Sequence, residues 1–422
     1  MTKPTFELIP SAKKVGKLYS PIPSNGDGDF TFSRTTEGTF TNKDGYLETA
    51  PIDVPRLDYR DTDGSLLKCP ELLLEPTSTN LLLQSETFDN ASWSKITSTT
   101  EANASISPNG TMTADKWSRT TVANNRIQQI ITKSAVATKY SFSVYVKKAN
   151  EDYFSMRMSG SYPARVDVIF NLSNGTVVSE ATASGFSNLE SSIVSVGNGW
   201  YKCVVSATTD ATTSLSLMFS ASDSPSAQVD GTGTSDNASV FLWGAQLELG
   251  ITATSYIKTT TSATTRGIDV CDLAGTVDTF NSSEGVLYAE IKALSDDLTT
   301  RNICISDGTS ANRVVFRYMF SSNQIQFLIV TANVVQYITT HTFSDITEMN
   351  KVALTWKKND FSSWANGVKV SVDVAGDTPI GLNEISFTNG YDNNQNFRGR
   401  TKNIKVYDTA LTDTELTELT TI

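Results

Sequence analysis

From residue 85 onward, apolar and polar positions alternate with a period of two. Tyr140, Phe142, Val144 and Val146 fall on one side with Ser141 and Ser143 between them. Val166, Val168 and Phe170 repeat the arrangement around Asp167, and Trp200, Lys202 and Val204 alternate with Tyr201, Cys203 and Val205. Phe241, Trp243, Ala245 and Leu247 are expected to share one further face. Turn signals such as Asn174-Gly175 and Gly197-Asn198-Gly199 separate these runs, so residues 85–258 are predicted to form an antiparallel sandwich of jelly-roll type, not βαβ units. A second series (Val286 to Ile291, Val314 to Tyr318, Ile325 to Val330, Val352 to Trp356, Val368 to Val372, Ile404 to Tyr407) predicts another β-sandwich over 267–422. Between them, 259–266 is rich in Thr, Ser and Ala and reads as an extended linker. A separable C-terminal fragment starting around residue 266 is therefore expected on limited digestion. The fold class is all-β.

Residues 1–84 have a different texture. Asn25-Gly26, Asp27-Gly28, Asp44-Gly45 and Asp63-Gly64 punctuate short apolar pieces such as Phe30-Thr31-Phe32 and Leu72-Leu73-Leu74, which predicts short hairpins with long loops. Such a segment buries little apolar area for its length, so it should dock on the rest of the chain or on another subunit, as an attachment region. One helix of about two turns is predicted near the end. Thr412 and Glu415 make a capping box, and Leu411 with Leu416 makes the flanking hydrophobic staple. No heptad is sustained, and no fixed repeat of β-helix length appears.

Composition narrows the functional classes. The chain has 422 residues, enough for several domains, with 34 Lys+Arg against 45 Asp+Glu and a net charge of −11. That balance supplies no basic footprint for nucleic acid or an anionic membrane, so neither is expected as a partner. No run is apolar for long enough to span a membrane, and Met1 to Val15 carries charges and prolines where a secretory core would lie, so neither membrane insertion nor a classical signal is expected. Cys69, Cys203, Cys271 and Cys304 are widely spaced, without a C-x-x-C pair, and read as free buried thiols. Triplets such as Asn90-Ala91-Ser92 reflect a composition rich in Ser, Thr and Asn.

Candidate chemistry is sparse. His341 is the single histidine, so any Ser-His-Asp mechanism or multi-histidine metal site would run through it; its setting, Thr339-Thr340-His341-Thr342-Phe343, suggests a structural or solvent role. Glycosidases need paired carboxylates, but Ala289-Glu290-Ile291-Lys292 offers one, and Asp296-Asp297 reads as a solvated loop with calcium ligation as the alternative. Gly231-Thr232-Gly233-Thr234 lacks the lysine and the strand-to-helix context of a phosphate loop. Sugar sites combine an exposed ring for the pyranose C–H face with amides and carboxylates for the hydroxyls. Asn389-Gly390-Tyr391-Asp392-Asn393-Asn394 has that make-up, and Tyr391, Asp392 and Asn393 are taken as candidates together with Tyr162, in Ser161-Tyr162-Pro163, and Trp364. Trp200, Trp243 and Trp356 lie in alternating strands and are expected in the core, whereas Trp93, Trp117 and Trp364 lie nearer turns.

Three stretches carry a family resemblance. Gly16-Lys17-Leu18-Tyr19-Ser20-Pro21, Gly28 to Arg34, Asp44 to Thr49, Val54-Pro55-Arg56-Leu57-Asp58-Tyr59, Leu72-Leu73-Leu74-Glu75-Pro76 and Thr79-Asn80-Leu81-Leu82 together resemble a run found in structural proteins of tailed phages, particularly marine, cyanophage-like ones. Phe88 to Trp93, Ser107 to Gly110, Tyr140 to Lys147, Gly199-Trp200-Tyr201 and Trp243 to Glu248 are similar to the carbohydrate-binding-type jelly rolls that follow that run. In glycan-binding relatives the last strand often carries an acidic pair that helps hold a structural calcium; here that place reads Phe241-Leu242-Trp243-Gly244. Trp364-Ala365-Asn366-Gly367-Val368, Phe397 to Asp408 and the tail Ala410 to Leu416 resemble the laminin-G-like, concanavalin-type sandwich.

The resemblance implies a virion protein, either a tail fibre or receptor-binding protein or a capsid decoration. It would bind host-surface glycan without turnover and other virion proteins through its N-terminal region, as a homo-oligomer, with trimers common among fibres. No cofactor is implied, a structural calcium being left open. A polysaccharide depolymerase and a purely architectural subunit are the alternatives.

Overall fold

Side chains that alternate sides along a strand seal a core only when two such sheets face each other. The computed structural model, which describes residues 2–422, resolves this twice, and its only helix is Asp413–Thr420. In the middle of the chain two six-stranded sheets pack together. One runs in the order Ser94–Ile96, Arg126–Thr132, Ser214–Ser222, Tyr153–Ser159, Arg165–Asn171, Thr176–Thr182. The other runs Ser98–Ile106, Met112–Arg119, Ser239–Leu249, Lys139–Lys148, Trp200–Thr208, Ser187–Gly197. Phe142, Val144 and Val146 face Val166, Val168 and Phe170 across a core centred on Phe219, whose ring lies 4.9 Å from Phe142 and 5.8 Å from Trp93.

One predicted face is broken. Phe241, Trp243, Ala245 and Leu247 do not share a side: Val240, Leu242, Ala245 and Leu247 enter the core, while Phe241 and Trp243 pack outside it with Tyr145, Trp200 and Tyr256. The register against Lys139–Lys148 slips between Ser143 and Tyr145, opposite Gly244, whose φ is +64°. A bulged residue in the left-handed region shifts the period by one and exchanges the faces.

The second sandwich pairs an eight-stranded sheet with a five-stranded one. The eight-stranded sheet runs Val368–Asp373, Phe361–Ala365, Asn350–Lys357, Glu284–Ala293, Gly399–Tyr407, Leu66–Leu74, Arg56–Arg60, with Phe6–Leu8 also paired to Gly399–Tyr407. The five-stranded sheet runs Val334–Thr342, Gln324–Thr331, Arg313–Tyr318, Arg301–Ser306, Glu384–Ser386. The helix closes the outer face of the larger sheet at one end. Its capping box forms from both sides, Glu415 N donating to Thr412 Oγ1 (3.3 Å) and Thr412 N to Glu415 Oε2 (3.0 Å), and Leu411 and Leu416 pack with Trp364 and Tyr407.

The N-terminal segment docks on the rest of the chain, one of the two outcomes expected of it, and does so by completing the second sandwich. Phe6, Leu8, Leu18, Phe30, Phe32, Leu57, Leu72 and Leu74 are buried in the same core as Leu287, Phe316, Trp356 and Val406. By contrast, 259–266 is not a loose connection. Thr264–Arg266 pairs with Ser78–Asn80, the carbonyls of Thr259 and Thr260 accept from Ser85 N and Gln84 N, and Arg266 is buried. The thiols are free as expected, but Cys69 is exposed, because it stands on the Leu66–Leu74 strand before that strand enters the core.

The parts meet at a buried network of charges. Arg34 and Arg56 both pair with Asp269, and Arg56 and Arg266 both pair with Glu75. Arg266 also donates to Thr254 Oγ1 (3.0 Å), whose hydroxyl donates to the buried Glu248. Burial would raise the Glu75 carboxyl, but the guanidiniums of Arg266 and Arg56 and the Ser255 hydroxyl outweigh it and hold it well below the usual carboxylate range.

Candidate functional site

The Arg301–Ser306, Arg313–Tyr318 and Gln324–Thr331 strands turn alternate side chains into the core (Ile303, Ile305, Val314, Phe316, Ile325, Phe327) and leave the others on the outer face of the five-stranded sheet. Three cross-strand rows result. Cys304, Val315 and Leu328 form an apolar row; Asn302, Arg317 and Gln326 form a polar row on one side of it; Ser306, Arg313 and Val330 form the row on the other. Arg317 donates to Asn302 Oδ1 (3.0 Å) and Gln326 Oε1 (3.3 Å), so its guanidinium lies fixed along the sheet. Burial lowers its pKa, as does the neighbouring Arg313.

The 389–395 loop borders this face. Ser306 Oγ donates to Gly390 O (2.7 Å), Asn302 Nδ2 donates to Gln395 Oε1 (2.7 Å) and Arg313 donates to Asn389 O (3.3 Å), tying the loop to three of the polar positions behind it. Tyr391 is 44% exposed, and the Arg313 guanidinium lies 4.9 Å from its ring centroid. Held from behind by a cation, the ring turns its remaining surface to solvent. Asp392 is exposed and accepts from Asn389 Nδ2 and Asn394 N; the Asn389 hydrogen bond, foremost, holds its carboxyl below the usual range. Asn393 is exposed in the left-handed region at φ +56°. A ring, a carboxylate and several amides thus share one rim, which is the chemistry that recognises a polyol.

The other two candidates fall elsewhere. Trp364 is 3% exposed, packed against Tyr407, Leu411 and Leu416 under the helix, with its indole N–H donating to Ser362 Oγ (3.1 Å); it offers no stacking face, which corrects the expectation. The helix and its staple cover the tryptophan, and its proximity to a turn gave no sign of that. Tyr162 is 81% exposed between the Tyr153–Ser159 and Arg165–Asn171 strands, with Arg165 5.4 Å from its ring, on the other sandwich from Tyr391. Arg313, Arg317, Asn302 and Gln326 were missed, although Arg313 and Arg317, four apart in a strand, share a face by the period-two rule.

His341 lies edge-to-face with Phe343, and burial lowers its pKa. Asp297 accepts from Thr299 and Arg301, and Asp296 from Ser322 and Asn323. No cluster of three or more His, Cys, Asp or Glu side chains suited to a metal occurs among the described residues. Likewise, no helix among them is long and apolar enough to cross a membrane.

A family model of laminin-G type, described as the concanavalin A-like lectin/glucanases superfamily, matches residues 269–417, about a third of the chain. No curated protein matches the chain. Among solved structures it is similar to the CBM40 of Ruminococcus gnavus IT-sialidase bound to α2,3 sialyllactose (17% identity, 33% of this chain and 84% of that chain, TM-score 0.29). It is similar also to leech intramolecular trans-sialidase (18%, 34% and 24%, 0.29) and to domain 4 of the Geobacillus stearothermophilus arabinanase AbnA in complex with arabinotriose (10%, 36% and 73%, 0.30).

Proposed function

We propose that this chain is a glycan-binding virion protein of a tailed phage, a tail fibre, receptor-binding or capsid-decoration protein that holds host-surface sugar without cleaving it. The single observation that carries the binding role is Tyr391, a half-exposed ring backed by Arg313 and flanked by Asp392, Asn393 and Asn389 in the loop that borders the outer face of the five-stranded sheet. The match of residues 269–417 to a lectin and glucanase superfamily supports it, and the virion setting rests on the resemblance of the first 84 residues to phage structural proteins. Attachment to other virion proteins falls to the exposed outside of residues 2–84, where Val15, Ile52 and Leu66 are exposed while Phe6, Leu8, Phe30 and Phe32 are buried within the chain. Assembly as a homo-oligomer would turn weak single sites into strong adhesion.

The test is binding of the purified chain to host cells and to a glycan array. Tyr391→Ala combined with Asn393→Ala is expected to weaken binding about tenfold or more and to leave the unfolding midpoint nearly unchanged, as surface substitutions do. Equal binding by variant and parent rejects the site. Release of reducing ends from host polysaccharide, abolished by a single Asp or Glu substitution, replaces the binder with a depolymerase.

A further inference from the structure

Where the outer face of the eight-stranded sheet meets the outer face of the Ser98 to Gly197 six-stranded sheet, the two do not close on each other. They leave a cavity of about 770 Å³, within the range of small-ligand sites. One wall carries Asp58, Leu73 and Arg400, the other Tyr145, Ser192, Val194, Lys202 and Val204. Both walls are hydrogen-bonded sheet, and one end is braced by the Asp61–Ser65 turn. There Gly64, at φ +89°, approaches Ser195 so closely that an added Cβ would lie 2.2 Å from its carbonyl oxygen. The cavity is therefore preformed.

We infer that this cleft is a second binding site, separate from the Tyr391 face, and that it takes a short uncharged oligosaccharide. Each cation around it is held by the protein: Arg60 donates to Gly45 O and Gly64 O, Arg400 donates to Asp58 and lies 3.7 Å from Glu71, and Lys202 donates to Thr254 O. The carboxylates outnumber them: Asp58, Asp61, Asp63, Glu190, Asp296 and Glu348 line the cleft, and Asp63, Asp296 and Glu348 have no ion-pair partner among the described residues, although Asp63 accepts from Ser65 N and Asp296 from Ser322 and Asn323. A site that carries more carboxylates than cations favours neutral hydroxyl groups and repels a sugar that brings its own carboxylate or sulfate. The apolar stripe of Val194, Val196, Val204 and Leu47 suits the C–H faces of neutral rings.

The test titrates the full chain with neutral trisaccharides (maltotriose, cellotriose, xylotriose, N-acetylchitotriose) and with acidic ones (3′-sialyllactose, trigalacturonate), and compares Ser192→Trp and Tyr391→Ala. Ser192 is exposed on an edge strand, so tryptophan there fills the cleft without disturbing the core, and an unchanged unfolding midpoint verifies this. A neutral trisaccharide is expected to bind the parent and Tyr391→Ala alike, to bind Ser192→Trp at least about tenfold more weakly, and to outcompete both acidic sugars. The inference is overturned if no neutral trisaccharide binds, if acidic ones bind more tightly, or if Ser192→Trp binds like the parent. Loss in Tyr391→Ala alone overturns it while leaving the Tyr391 reading intact.

Discussion

Glu75 is the residue on which the buried charges hinge. It receives Arg56 and Arg266 together and the Ser255 hydroxyl and backbone N–H, and it is 3% exposed. Removing one member of such a group leaves uncompensated charge in a dry interior, so Glu75→Gln is expected to cost about 3–5 kcal/mol, read from denaturant unfolding at pH 7. The pH dependence has a definite sign. The folded carboxyl lies below its ordinary value of 4.5, so its contribution is complete above that pH and is lost as the pH falls through 4.5 and below. The parent should lose stability steeply on that acid limb, and Glu75→Gln should show a shallower fall. Equal slopes would mean that Glu75 is not the group that titrates.

Among the strands, the Gly244 bulge shows how one residue decides which side chains reach a core. Alanine at 244 would adopt a left-handed φ and bring its Cβ within 3.0 Å of Tyr145 and 3.2 Å of Tyr256. Gly244→Ala is expected to lower stability by about 1–3 kcal/mol and to alter the near-ultraviolet circular dichroism of the Tyr145, Trp243 and Tyr256 cluster. An unchanged spectrum and midpoint would refute the bulge. The alternation of Tyr140 to Val146 and of Val166 to Phe170 was legible because one face of each strand is wholly apolar. The run through 241–247 was not, because large apolar residues stand on both sides of it and only pairing with the neighbouring strand reveals the slip. The 389–394 loop was legible from its amides and ring, whereas Trp364 misled because its cover lies some fifty residues further along the chain.

For the molecule as a whole, the expected cut between modules disappears. A fragment of residues 267–422 alone would expose the partners of the eight N-terminal side chains buried in its core. At about 1.5–3 kcal/mol for each large apolar side chain, the loss is on the order of 10 kcal/mol, comparable with the entire stability of a typical domain. That fragment is expected to aggregate or to remain unfolded, and limited trypsin digestion of the intact chain should spare 259–266. A soluble, cooperatively folding 267–422 fragment would contradict the shared core. That these pieces dock elsewhere was legible from how little they bury alone, but which sheet they complete was not, because short apolar pieces between turns look alike whether they meet another subunit or a strand hundreds of residues away.

Pairing of Phe6–Leu8 with Gly399–Tyr407 also sets an order of events at the ribosome. At about 5–20 residues per second, the first strand waits on the order of half a minute for its neighbour to be made. The middle sandwich, complete by residue 258, is free to form in that interval. Phe6, Leu8, Phe30 and Phe32 meanwhile remain uncovered on the nascent chain, as natural client segments for a chaperone.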